Sequence, residues 1–422
     1  MPTTDRRSRR GWRAHRSIRS IGATVGFACL LPACTGGDDD PIPTTTVALT
    51  TTTTIAPVSD GTLRIGLFLP LTGPGASLGP PLADGIEDAI ADVNASGGVF
   101  GRDVEIEPAD EESTTVDELL AKDVDAIIGP ASSLVALADL APAFAPQNAV
   151  VVCSPMATSR ALDDFQDNKY FFRTAPSDTL QMEAIAIIAE RTGAQTAAIG
   201  YIDDPYGRGL YEALDEALSD SQVTVIAEQG FSSDQEDLSD VAETLLADEP
   251  RVVVVLGGAA DGGRLLEALD AATDDPPIVI INDSIRQARQ TIQTVSDPFR
   301  EQITGVAPQS SAATGDDDLG FFVAHAIDCA YLVALAAIQA GSDDAADLRR
   351  TLPAVSTGGR FCTDFEACVE TLDDELGVDY NGRSGRVDLS SVTGDPVRAW
   401  FETFGFDADG NEVAGEPLEV GG

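Results

Sequence analysis

From Gly61 onward, short runs of consecutive apolar residues alternate with stretches whose apolar positions recur every three or four residues. The runs lie at 63–69, 104–106, 126–128, 150–152, 196–201, 223–227, 252–256, 278–281 and 303–307. Helical periodicity falls between them, at 82–94, 134–144, 180–191, 209–218 and 238–247. A strand apolar on both faces is covered on both sides, so this alternation predicts an α/β protein built on parallel sheets flanked by helices. The rhythm changes near the C-terminus. There, 385–389 and 399–404 read as two strands joined by a turn at Gly394-Asp395-Pro396. Segment 319–340 is 22 residues long with only His325 and Asp328 as strongly polar interruptions. That length can span a bilayer. An uncompensated mid-helix Asp and an alanine-rich composition instead predict a buried core helix.

Ahead of this body the pattern is of another kind. Seven arginines precede an apolar stretch at 21–31, followed by Leu31-Pro32-Ala33-Cys34. A basic head, an apolar core too short for a stable membrane helix, and small residues before a cysteine describe an export signal, residues 1–33. The placement of Cys34 resembles a bacterial lipobox, in which that thiol is acylated and becomes the new N-terminus; ordinary cleavage beside an incidental cysteine is the alternative. Residues 34–60 are rich in Thr and Pro, which bury nothing at a regular period and predict an extended tether. The expected product is a lipid-anchored protein on the extracytoplasmic face of the cell membrane.

Without residues 1–33 the chain keeps 19 basic and 69 acidic residues, a net charge of −50. Such a surface repels phosphates and anionic lipid heads, so no nucleic-acid partner is expected. At 43% hydrophobic residues overall, a body of this length can bury more than one core, which predicts two lobes.

Candidate chemistry is sparse. The loop Thr72-Gly73-Pro74-Gly75-Ala76-Ser77-Leu78-Gly79 has the glycines of a phosphate cradle, but the dinucleotide fingerprint needs glycine where Leu78 stands. Of two histidines, His15 departs with the signal, leaving His325 without an evident nucleophile. No metal site and no cofactor are expected. Two loops at strand ends carry small hydroxyl residues, Gly129-Pro130-Ala131-Ser132-Ser133 and Ser154-Pro155-Met156-Ala157-Thr158. For Ser132 and Ser133 alone, helix N-capping is a sufficient account. Two such loops at the carboxyl ends of parallel strands, where open α/β sheets bind ligands, suggest a carboxylate cradle.

The ordered set of motifs carries a resemblance. Leu63-Arg64-Ile65-Gly66 with Leu71-Thr72-Gly73-Pro74, then Asp92-Val93-Asn94-Ala95-Ser96-Gly97-Gly98-Val99-Phe100-Gly101-Arg102, resembles the opening of the branched-chain amino acid-binding proteins of ABC importers. Ala126-Ile127-Ile128-Gly129-Pro130, Cys153 to Ser159, Phe171 to Asp178 and Asp204 to Gly209 continue it in order, to about Gly410. The resemblance implies a type I periplasmic binding protein: two Rossmann-like lobes joined by three crossing strands, here 61–177 with 308–384 and 178–307 with 385–417. It implies a carboxylate site at Ser132, Ser133 and the Met156-Ala157-Thr158 loop, an ammonium-binding acid at Asp283, and aromatic contacts at Tyr206 and Phe322. Leu78 and Ala259 stand where amino acid binders often place aromatics, which implies a wider pocket.

The implied function is capture of a small amino acid-like or carboxylate-bearing solute by hinge closure. The expected partners are ABC permease and ATPase subunits, and the protein is expected to be a monomer without enzymatic activity. The alternative is a ligand-sensing receptor for amides, urea or small organic acids. No further apolar span follows the body, so such a receptor would signal through a separate partner. Cys362 and Cys368, close together in an exported chain, predict a disulfide. Cys153 and Cys329 are expected in the first lobe, either paired or as two buried thiols.

Overall fold

The computed structural model describes residues 60–146, 148–219, 221–309, 320–373 and 377–422. The expected signal, the acylated Cys34 and the tether up to residue 59 lie outside the described residues, as does residue 319 at the expected start of the long helix.

The first sheet contains β1 (Arg64–Leu69), β2 (Glu105–Asp110), β3 (Ala126–Ile128), β4 (Val151–Ser154) and β5 (Phe171–Arg173) in the order β2-β1-β3-β4-β5, every pair parallel. The second contains β6 (Thr196–Ile202), β7 (Thr224–Phe231), β8 (Val252–Leu256), β9 (Ile278–Asn282) and β10 (Ile303–Pro308), in the parallel order β10-β9-β8-β6-β7. All five residues of β8 are fully buried, as expected of a central parallel strand covered by helices on both faces.

A small third sheet holds β11 (Arg360–Cys362), β12 (Val378–Gly382) and β13 (Gly385–Arg386). Finally β14 (Arg398–Phe406) returns antiparallel to β10, and β15 (Glu412–Ala414) and β16 (Leu418–Gly421) pair with it. The chain thus passes between the two large sheets after β5, after β10 and before β14. The topology is that of two Rossmann-like lobes, as expected of a type I periplasmic binding protein.

Two local expectations need correction. Residues 385–389 do not form a hairpin with β14: Gly385 and Arg386 pair with β12 instead, and only an isolated bridge joins Leu389 to Pro396. A short turn does form, Ser390 N–H donating to Asp395 C=O and Val397 N–H to Asp388 C=O, while Leu389 N–H donates to Ser356 Oγ and Gly394 C=O accepts from Arg173 N–H. The helix expected at 134–144 ends at Asp139 and gives way to a 3-10 turn, Ala141–Phe144. Pro142 has no N–H to donate and its ring crowds the preceding turn.

The helix Val323–Ala340 is long and apolar enough to cross a membrane, yet most of it is buried in the first lobe. Asp328 is satisfied there. Its carboxylate accepts from Tyr380 O–H, Ser384 O–H and the N–H groups of Arg383 and Ser384. Four hydrogen bonds make a buried acid tolerable where lipid would offer none. Both disulfides are formed. Cys153–Cys329 pins β4 to this helix, and Cys362–Cys368 closes the short loop leading from β11 into the helix Phe365–Asp373.

Candidate functional site

Each large sheet reverses its strand order once, between β1 and β3 in the first lobe and between β6 and β8 in the second. Crevices form at the carboxyl ends of strands flanking such points. The first hydroxyl-bearing loop leaves β3 at such a point, the second leaves the adjacent strand β4, and Asp283 follows β9, the neighbour of β8. Gly129 opens the first loop at φ +118, and a Cβ on it would meet Phe68 C=O at 1.9 Å. Only glycine fits that turn.

The two first-lobe loops are knitted together. Ser154 Oγ donates to Pro130 C=O at 2.6 Å and accepts from Ala157 N–H at 3.0 Å. Ser133 Oγ accepts from Ser159 N–H at 3.1 Å. Ser132 caps the helix Ser133–Asp139, accepting from Val135 N–H. The cradle differs from a bare set of amides, because Ala131 N–H is taken by Glu111 at 2.8 Å. Burial pushes the Glu111 carboxyl up to about 7 against the pull of the Ala131 and Ser132 amides. The Ser133 hydroxyl, which accepts from Ser159 N–H and keeps its own proton to donate, is therefore the more available donor of this lobe.

The second lobe contributes an acidic, hydrogen-bonded wall. Asp283 is 5% exposed, and burial raises its pKa against hydrogen bonds from Gln181, Ser284 N–H and Asn282. Asn282 Nδ2 donates to Tyr206 Oη at 3.2 Å, Tyr206 Oη lies 3.1 Å from Ser284 Oγ, and Asn282 Oδ1 accepts from Gly257 N–H at 3.0 Å. Burial, then Asp283 and Asp178, drive the Tyr206 phenol well above its ordinary value, so it stays neutral.

Asp178, the first residue of the helix Asp178–Arg191, faces the same space at 4% exposure. Its carboxyl is pushed up to about 7, by burial first and by Asp283 second, while a hydrogen bond to the Thr158 side chain and the charge of Arg173 oppose the shift. Its N–H donates to Thr158 C=O at 2.8 Å. Two buried acids, Asp178 and Asp283, thus stand against neutral hydroxyls, an arrangement that suits a ligand with a positive and a negative end.

Thr158, Tyr206 and Asp283 are joined through Asp178 by these contacts, and Ser133 adjoins through Ser159. Met156 and Ala157 sit in the same loop, Met156 packing on the first-lobe core and Ala157 on the cluster behind β3 and β4. Leu78 is half-buried at the start of the helix Gly79–Ala95. Phe322 is buried in the first-lobe core between Phe321 and His325. His325 is itself buried there and pushed down to about 3, so it stays neutral. Asp178, Gln181, Asn282 and Ser284 were not anticipated as site residues. Asp178 was visible only as the end of the Phe171-to-Asp178 motif, where an acid after Ser177 reads equally well as a favourable first-turn helix residue.

Comparison with known proteins agrees with the fold. Residues 62–365 match the family model of the periplasmic binding proteins. The chain is 29% identical over 373 residues to the chemotactic signal transduction system substrate-binding protein BasB of Halobacterium salinarum, covering 80% of this chain and 86% of that one. It is 26% identical to the Leu/Ile/Val-binding protein BraC3 of Rhizobium johnstonii, over 51% of this chain and 59% of that protein. In fold it is similar to the branched-chain amino acid transporter substrate-binding protein LivJ of Streptococcus pneumoniae, solved with isoleucine. There the TM-score is 0.64 at 19% identity, over 85% of this chain and 99% of LivJ. The chain belongs to the periplasmic binding protein family.

Proposed function

We propose that this protein is the extracytoplasmic solute-binding component of an ABC importer. It captures a small amino acid-like zwitterion by closing its two lobes around it, without chemical turnover. The carrying observation is the juxtaposition of two buried acids, Asp178 and Asp283, with the Thr158 hydroxyl hydrogen-bonded to Asp178. A zwitterion loses its hydration on closure, so each charged end needs a partner inside. Asp178, Asp283 and Tyr206 receive an ammonium group, and Ser133 donates to a carboxylate, joined by the Thr158 hydroxyl once the ammonium group replaces it on Asp178. Contacts from both lobes exist together only in the closed form, so binding shifts the population toward closure. Acylation at Cys34 would hold the protein beside its permease and ATPase. A sensing role is the second reading, favoured by the similarity to BasB, which is named for chemotactic signalling.

The test is a calorimetric and thermal-shift comparison of amino acids with their deaminated acids, extended to amides, urea and aromatic acids. Leucine or a close relative should stabilise the protein by about 2.7 kcal/mol at a hundredfold excess over Kd. The matching acid without nitrogen should not. Equal binding of the two would overturn the ammonium assignment.

A further inference from the structure

Arg173 ends β5 at the point where the chain first leaves the first sheet, and its side chain is fully buried. Its donors fan out to three segments. Nε donates to Asp395 at 2.7 Å, Nη1 to the carbonyls of Ala157 at 3.3 Å and Ser159 at 3.1 Å, and Nη2 to Asp163 at 2.6 Å. Asp163 in turn accepts from Ser177 Oγ at 2.6 Å and Thr179 Oγ1 at 2.8 Å. The pattern brackets the site. Ala157 and Ser159 flank Thr158, and Ser177 and Thr179 flank Asp178. Asp395 belongs to the last passage between the large sheets, which also meets Arg173 N–H through Gly394 C=O at 3.1 Å.

We propose that Arg173 is the positioning residue of the ligand site: through Asp163 and Asp395 one guanidinium fixes Thr158 and Asp178 relative to each other and to the crossing segments. This rests on the reading of Thr158 and Asp178 as ligand contacts. A rigid planar fork is suited to the task, because lysine cannot direct separate donors to four fixed acceptors. Buried ion pairs add little net stability by comparison with apolar replacements, so the network's value lies in where it places its neighbours.

Asp163→Asn is the main test, since it leaves the proposed ligand contacts intact. In the unliganded protein, hydrogen exchange should quicken together at 157–163 and 177–181, with β6 and β8 unchanged. Leucine affinity at pH 8, read by calorimetry, should fall at least tenfold. The groups facing Asp178 are Asp283, Asp163, Arg173, Thr158 and Tyr206. Removing the Asp163 charge makes Asp178 easier to ionise, so the pH midpoint of leucine binding should move down even as affinity at pH 8 drops. A charge effect alone would shift the midpoint without that loss. Arg173→Lys, which keeps the charge and loses the fork, should weaken binding to a similar degree. The proposal is overturned if exchange quickens at only one of the two segments, or if Asp163→Asn binds leucine within twofold of wild type. Should the wild type bind no amino acid, the functional reading fails, and the coupled exchange still decides the role of Arg173.

Discussion

Replacing Asp178 by Asn should stabilise the unliganded protein and weaken its ligand, and both effects follow from one buried charge. The carboxyl rises from 3.8 to about 7. At about 1.36 kcal/mol per pH unit, an ionised Asp178 costs the folded state roughly 4 kcal/mol above pH 7. Asn keeps the shape and the contact with Thr158. It gives up an anion at a helix start, worth about 0.3–1 kcal/mol. A net gain of about 3 kcal/mol at pH 8 is expected. The sign runs with pH as follows from a raised carboxyl: wild-type stability is highest below about pH 4 and declines as pH rises toward 7, whereas the variant lacks this slope. The two proteins should therefore match near pH 4, diverge between pH 4 and 7, and differ by a constant amount above that. Binding moves the other way. Losing one member of a buried charge pair costs about 2–5 kcal/mol. Asp283 remains, so the lower part applies, about 2–3 kcal/mol, or roughly 30- to 150-fold in Kd. Urea unfolding at pH 4.5, 6 and 8 measures the first effect and calorimetry at pH 8 the second. A variant with the wild-type pH slope, or one that binds as tightly as wild type, would refute the reasoning.

Three further outcomes are expected. Asp283→Ala should weaken amino acid binding by about 2–5 kcal/mol and Ser133→Ala by on the order of 1–3 kcal/mol, both read by calorimetry; an unaffected Asp283→Ala would remove the ammonium assignment while leaving the two-lobed binder. The disulfides span sequence separations of 176 and 6 residues, for which chain entropy gives about 5 and about 2 kcal/mol. Melting of the Cys153→Ala, Cys329→Ala protein should accordingly drop well below that of the Cys362→Ala, Cys368→Ala protein. Cys34→Ala should release the protein from membranes or leave it unprocessed, and unchanged detergent-phase partitioning would count against acylation at that thiol.

The sequence by itself determined the architecture. Val252-Val253-Val254-Val255-Leu256 is apolar at every position, and only a strand covered on both faces uses such a run. The same logic placed β3 and β9, and it identified 319–340 as a core helix because a lone Asp in lipid would have no partner. These are local consequences of which residues avoid water, and they hold whatever the distant chain does.

Long-range contacts decided the rest. Residues 385–386 pair with β12, while Ser356 and Arg173, far off in sequence, take Leu389 N–H and Gly394 C=O from the turn that follows. Cys153 and Cys329 are 176 positions apart, and only packing of β4 on the long helix makes them neighbours. The site shows the division most clearly. Ser133, Thr158 and Asp283 stand at strand ends, where pattern alone marks a crevice. Asp178 looks in sequence like an ordinary first-turn helix acid. What sets it apart is burial beside Asp283, and that depends on how the lobes meet. Solvation is a property of the assembled surroundings, so a buried charge of this kind becomes visible only in three dimensions.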